Sequence, residues 1–87
     1  MSSLYRVKVE PAVDRTLSKL SPKVRDRILR RVQDLANDPR PPGCVKLASV
    51  ADTYRIRVGD YRILYEVHDR MVLVVVVRVG HRSEVYR

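Results

Sequence analysis

Two runs of alternating apolar and polar residues dominate the second half of the chain. Tyr54-Arg55-Ile56-Arg57-Val58 and Tyr61-Arg62-Ile63-Leu64-Tyr65-Glu66-Val67 are separated only by Gly59-Asp60. Period-two alternation predicts half-buried strands, and a two-residue link containing glycine predicts a tight hairpin. Such a chain is committed to an antiparallel sheet. After the turn residues His68-Asp69-Arg70, the near-continuous β-branched run from Met71 to Val79 predicts a further strand, buried on both faces and therefore central.

The first half has a different period. Leu4 to Val9 alternates as a strand and stops at Pro11. Val13, Leu17 and Leu20 then fall at helical spacing, predicting a short helix from Pro11 to Leu20. Ser21-Pro22 supplies a favoured N-cap followed by a favoured first helical residue, and Val24, Ile28, Val32 and Leu35 carry an apolar stripe to about Asn37. Asp38-Pro39-Arg40-Pro41-Pro42-Gly43 cannot continue a helix, and Val45 to Leu47 reads as a short strand beyond it. The expected fold is α+β: an N-terminal strand, an antiparallel helical hairpin, then a three- to four-stranded antiparallel sheet, as one domain over residues 1–87.

Charge narrows the partner. Eighteen Lys and Arg against ten Asp and Glu give a net charge of +8, and fourteen of the eighteen are arginine. Arginine's planar fork matches phosphate bidentately where lysine is a flexible point charge, so the balance leans toward a polyanion such as nucleic acid or an acidic protein. One cysteine, Cys44, and two histidines, His68 and His81, give neither an internal disulfide nor a metal-ligand set. No phosphate-cradling glycine loop and no nucleophile motif is present. Val72 to Val77 is too short to span a bilayer and the first residues lack the apolar core of a secretion signal. The expectation is a soluble, cytoplasmic protein without metal, cofactor or membrane partner.

Alternation also sorts the arginines. Arg55 and Arg57 share one face of their strand, with Tyr54, Ile56 and Val58 on the other; Arg62 shares a face with Leu64 and Glu66. These arginines form either the solvated side of an antiparallel sheet or a phosphate-binding surface, to which Arg78 and Arg82 would add. A second basic stripe lies on the second helix, where Arg27, Arg30, Arg31 and Asp34 fall at i, i+3, i+4 and i+7. Asp26 and Asp34 stand at pairing distance from Arg30, the pattern of a charge-laced exposed helix; the alternative is a docking surface for an acidic partner or ribosomal RNA.

The runs Asp52-Thr53-Tyr54-Arg55-Ile56-Arg57-Val58, Gly59-Asp60-Tyr61-Arg62-Ile63-Leu64-Tyr65-Glu66-Val67 and Val79-Gly80-His81-Arg82-Ser83-Glu84-Val85-Tyr86 resemble the RelE branch of the RelE/ParE toxin family. That resemblance implies a strand, two antiparallel helices and an antiparallel sheet. It also implies a toxin of a type II toxin–antitoxin pair that cleaves mRNA in the ribosomal A site, with a cognate antitoxin, the ribosome and mRNA as partners. The family's functional positions fall on Arg55, Arg57, Arg62, Arg82 and Tyr86. Tyr86 would be the general base, its phenolate favoured by guanidinium neighbours, and the arginines would hold the phosphate. Arg30, Arg31 and Arg78 are further candidate contacts to RNA.

Three departures from the family pattern matter. Arg55 and Arg57 stand where well-known members carry lysine, which excludes a base role there, since arginine does not give up its proton. His81 stands where lysine is common, and histidine as a residue type suits proton transfer, so it could share or replace the role of Tyr86. The chain stops at Arg87, without the C-terminal helix of some members. The alternative functions are a DNA gyrase-inhibiting toxin of the ParE branch and a degenerate member that only binds its antitoxin.

Overall fold

The computed structural model describes residues 4–82. The chain runs β1 (Arg6–Val9), α1 (Pro11–Ser18), α2 (Pro22–Asp34), β2 (Val45–Lys46), β3 (Thr53–Val58), β4 (Tyr61–His68), a 3-10 turn (Asp69–Met71) and β5 (Leu73–His81). The five strands form one sheet in the order β1-β5-β4-β3-β2. β1 joins it parallel to β5, while every other pairing is antiparallel. The α+β architecture is the expected one; the N-terminal strand makes the sheet mixed and gives it five strands. β5 takes the interior place that its valines foretold. Its second face is half-buried rather than sealed, because helices cover only one side of the sheet.

Each helix begins where the sequence supplies its start. Pro11 opens α1, and Pro22 opens α2 after Ser21, whose hydroxyl accepts the Val24 N–H at 3.4 Å. α2 ends at Asp34, earlier than the apolar stripe suggests. The residues after it wind more tightly, with Leu35, Ala36 and Asn37 donating to Val32, Gln33 and Asp34 in i to i−3 bonds. Ala36 then accepts the N–H of Tyr5 at 2.9 Å, tying that helix end to the start of β1.

α1 packs over β5 and α2 over β3. Val13, Leu17, Ile28, Val32 and Leu35 meet Tyr54, Ile56, Val58, Ile63, Tyr65, Val67, Val74, Val76 and Val79 in one core. The proline-rich loop is pinned to the opposite end of the sheet. Arg40 makes a two-pronged pair with Asp69 at 2.8 and 3.1 Å and donates from Nε to the Tyr54 hydroxyl at 2.9 Å. Tyr5 donates to Asp69 at 2.7 Å, and the Tyr65 hydroxyl donates to the Pro39 carbonyl at 2.8 Å. Arg40 and then Tyr5 hold the Asp69 carboxyl down at a pKa of about 2. Burial, followed by the proximity of Cys44, pushes the Tyr65 phenol well above its usual range.

Candidate functional site

The sheet face away from the helices carries the arginines, and strand register sets their spacing. Arg57 of β3 lies directly opposite Arg62 of β4, and Arg55 opposite Leu64. On the other side of β4, Arg62 lies opposite Gly80 and Leu64 opposite Arg78. Four guanidinium side chains therefore surround Leu64 across three strands. Like charges directly opposite one another weaken an antiparallel pair, so a sheet built for stability alone would not put Arg57 against Arg62. An anion between them would relieve the repulsion.

Arg62 differs from its neighbours. It is only 6% exposed and is the one charged side chain buried among the described residues, whereas Arg57 and Arg78 are exposed and Arg55 is half-buried. Packing between two strands fixes its position, and Gly80 brings no side chain to the facing site. A guanidinium held in place and unable to lose its charge is a preorganised electrostatic group.

The end of β5 divides the remaining candidates. A bulge between the Leu64–Arg78 and Tyr65–Val76 pairs makes Val77 an extra residue, so the inward-facing positions change from Val74 and Val76 to Val79. His81 consequently pairs with Tyr61 on the helix side, their rings edge to face with centroids 5.7 Å apart. It lines a groove with Ala12, Thr16 and Leu20 of the helical layer, on the other face from Arg62. The structure therefore does not bring His81 together with Arg55, Arg57 and Arg62, although Arg78 lines the same groove at the strand's edge. Arg82 is exposed, and its N–H donates to the Asp60 carbonyl at 2.8 Å, two ladder steps from the row of Arg62. Tyr86 lies outside the described residues.

Arg30 and Arg31 lie elsewhere, in a cleft of about 330 Å³ between α2 and the outer edge of β3, with Arg27, Asp34, Arg57, Val58 and Gly59. Among the described residues neither Asp26 nor Asp34 makes an ion pair with an arginine of α2, contrary to the spacing-based expectation; Arg40 pairs with Asp69 and His68 with Glu66 instead. His68, read from sequence as a turn residue, ends β4 and meets Glu66 at 2.8 Å. Arg27 was read with the basic stripe of the second helix, whereas Arg40 was legible only as a basic residue of the proline-rich loop, because its placement depends on tertiary neighbours. Among the described residues no group of three or more His, Cys, Asp or Glu could hold a metal ion, and no helix is long and apolar enough to cross a membrane.

The chain is similar to known toxins along nearly its whole length. It is 33% identical over 84 residues to Toxin RelG of Mycobacterium tuberculosis, covering 95% of this chain and 97% of that one. It is 36% identical over 72 residues to the mRNA interferase toxin RelE of Escherichia coli, covering 78% and 75% respectively. The archaeal RelE–RelB complex from Pyrococcus horikoshii OT3 superposes with a TM-score of 0.83 at 29% identity, covering 93% of this chain and 98% of that one. A family model described as the ParE toxin of a type II toxin–antitoxin system matches residues 7–86. The chain thus belongs to the ParE toxin family and is a RelE-like toxin of a toxin–antitoxin system.

Proposed function

We propose that this toxin is a ribosome-dependent mRNA endoribonuclease that inhibits translation. The observation carrying this reading is the convergence of Arg55, Arg57, Arg62 and Arg78 on the helix-free face of the sheet, with Arg62 buried among them. The name of one relative, an mRNA interferase, supports it.

The substrate supplies its own nucleophile. A ribose 2′-oxygen attacks the adjacent phosphorus and the bond to the 5′-oxygen breaks, leaving a 2′,3′-cyclic phosphate and a 5′-hydroxyl. The 2′-proton passes to a base and the departing 5′-oxygen gains a proton, so the step is balanced without an external reagent. Arg55, Arg57 and Arg62 neutralise the phosphate as its charge grows, and Arg82 stabilises the leaving oxygen. Tyr86 is the proton acceptor in this reading, since His81 faces the helices. Arginine is a reluctant acid, which makes the isolated protein slow and gives the ribosome its part: aligning mRNA that the toxin does not align alone. The site of action is the cytoplasm, where ribosomes and mRNA meet.

The test is a primer-extension map of mRNA 5′ ends in a translating extract, comparing the parent with Arg82→Ala, Tyr86→Phe and Arg62→Lys. The parent produces new ends within codons only when ribosomes are active. Each variant lowers cleavage by roughly a hundredfold, the scale of one lost transition-state contact. Variants that cleave like the parent would refute the site. Intact mRNA with blocked DNA supercoiling would identify a gyrase poison; intact mRNA without toxicity would identify a protein that only binds its antitoxin.

A further inference from the structure

The far end of the helix-free face carries a pair of another kind. Alternation along β4 places Glu66 and His68 on the same side as Arg62 and Leu64. The register sets Glu66 between Thr53 of β3 and Val75 of β5, and His68 beside Leu73. His68 Nε2 lies 2.8 Å from Glu66 Oε1, and 35% and 37% of the two side chains stay open to solvent. An exposed pair adds little to stability, and a carboxylate on a face that holds phosphate weakens the hold. Neither folding nor backbone binding accounts for it. Its surroundings suit a flat, partly apolar group: Leu64, Leu73 and Val75 give this end of the face a half-buried apolar floor. His68 also walls a hollow of about 480 Å³ with Asp52, Asp69, Arg70 and Met71, in which Met71 stands 57% exposed. Asp69 is already committed to Arg40 and Tyr5.

We infer that Glu66 and His68 read a nucleobase of the bound single strand and favour a base that carries an amino group over uracil. Glu66 lies four residues along the strand from Arg62, about 14 Å away, so a phosphate held among the arginines leaves a neighbouring nucleotide over the pair. The carboxylate repels that nucleotide's backbone and turns its base toward the sheet. Cytosine, adenine and guanine each offer an amino group to a carboxylate oxygen. Uracil offers only an N3–H set between carbonyl oxygens, which a carboxylate repels. The contact with His68 engages Oε1 alone and holds the carboxylate in position, while the imidazole face and Met71 give the base a surface to lie on. That the strand is mRNA being cut rests on the proposed function; the preference in binding does not.

The experiment titrates the full chain into short fluorescent oligonucleotides of cytidine or uridine whose 2′-O-methyl groups block cleavage. The parent binds the cytidine strand roughly tenfold more tightly than the uridine strand, the scale of one base contact. Glu66→Gln removes most of that ratio by gaining affinity for uridine, because an amide donates to the uracil carbonyls. Asp14→Asn, the same change of charge at an exposed position on α1, leaves the ratio as in the parent. His68→Ala weakens binding of both strands through the lost stacking surface. In translating extract, Glu66→Gln extends cleavage to codons with uracil at the position read and leaves other codons at the parent's rate.

Equal binding of the two strands by the parent would overturn the inference, as would a ratio that Glu66→Gln leaves unchanged or that Asp14→Asn narrows equally. A uniform fall in cleavage at all codons in Glu66→Gln would also overturn it, since that marks a structural role. If the parent cleaves no mRNA, the nuclease reading fails, while the oligonucleotide titration still decides whether the pair reads a base.

Discussion

Arg62 and Arg40 show how differently two arginines are used. Arg62 is buried on the helix-free face of the sheet, its charge held in place between two strands. Arg40 is committed to Asp69 and Tyr54 and holds the proline-rich loop against the sheet. The Asp69 carboxyl has a folded-state pKa of about 2, below the unfolded value of about 3.9. Its contribution to stability is therefore complete above the unfolded pKa and disappears as pH falls through the folded one. Thermal unfolding of the parent and Asp69→Asn should differ by a constant amount from about pH 7 to 5, and the two should converge between about pH 4 and 2. A difference that persists at pH 2 would mean that the carboxylate's charge is not what Arg40 recognises. The face occupied by Arg55, Arg57 and Arg62 was legible because strand alternation needs only neighbouring residues. The role of Arg40 was not, because its partners lie 14 and 29 residues away and no local pattern joins them.

Among the elements, the β3–β4 hairpin was the most legible and β5 the least. Gly59 has φ +58, the left-handed geometry that a side chain disfavours, and it occupies the first position of a two-residue turn. The nearest neighbour of an added Cβ would be Arg27 at an ordinary contact distance, so the requirement for glycine is conformational rather than steric. Gly59→Ala should cost about 1 kcal/mol, seen as a lower urea midpoint with an unchanged slope. A change in slope would instead indicate that the hairpin opens. β5 was expected to start at Met71, yet Val72 takes φ +50 at the end of the 3-10 turn and the strand starts at Leu73. A valine in that conformation contradicts its own β propensity; tertiary context decides it. The bulge at Val77 was equally hidden, because consecutive valines carry no alternation from which a change of phase could be read.

For the whole molecule, charge and size act together. A radius of gyration of 12.3 Å confines a net charge of +8, leaving a cationic surface that an acidic antitoxin would neutralise. Calorimetric titration with the antitoxin should show affinity falling as salt rises and a negative heat-capacity change, the marks of charge pairing combined with apolar burial. Salt-independent binding would mean that the arginines are not the contact. Which arginines reach that surface depends on a single backbone irregularity. Were Val77 to join the ladder without a bulge, inside and outside would exchange beyond it: Arg78 would point beneath the helices, Val79 would face solvent and His81 would join Arg62. The extra valine thus acts on the sheet as a frameshift acts on a message: it resets the phase of everything after it, and its deletion would return the strand to plain alternation with the core and the arginine face unchanged.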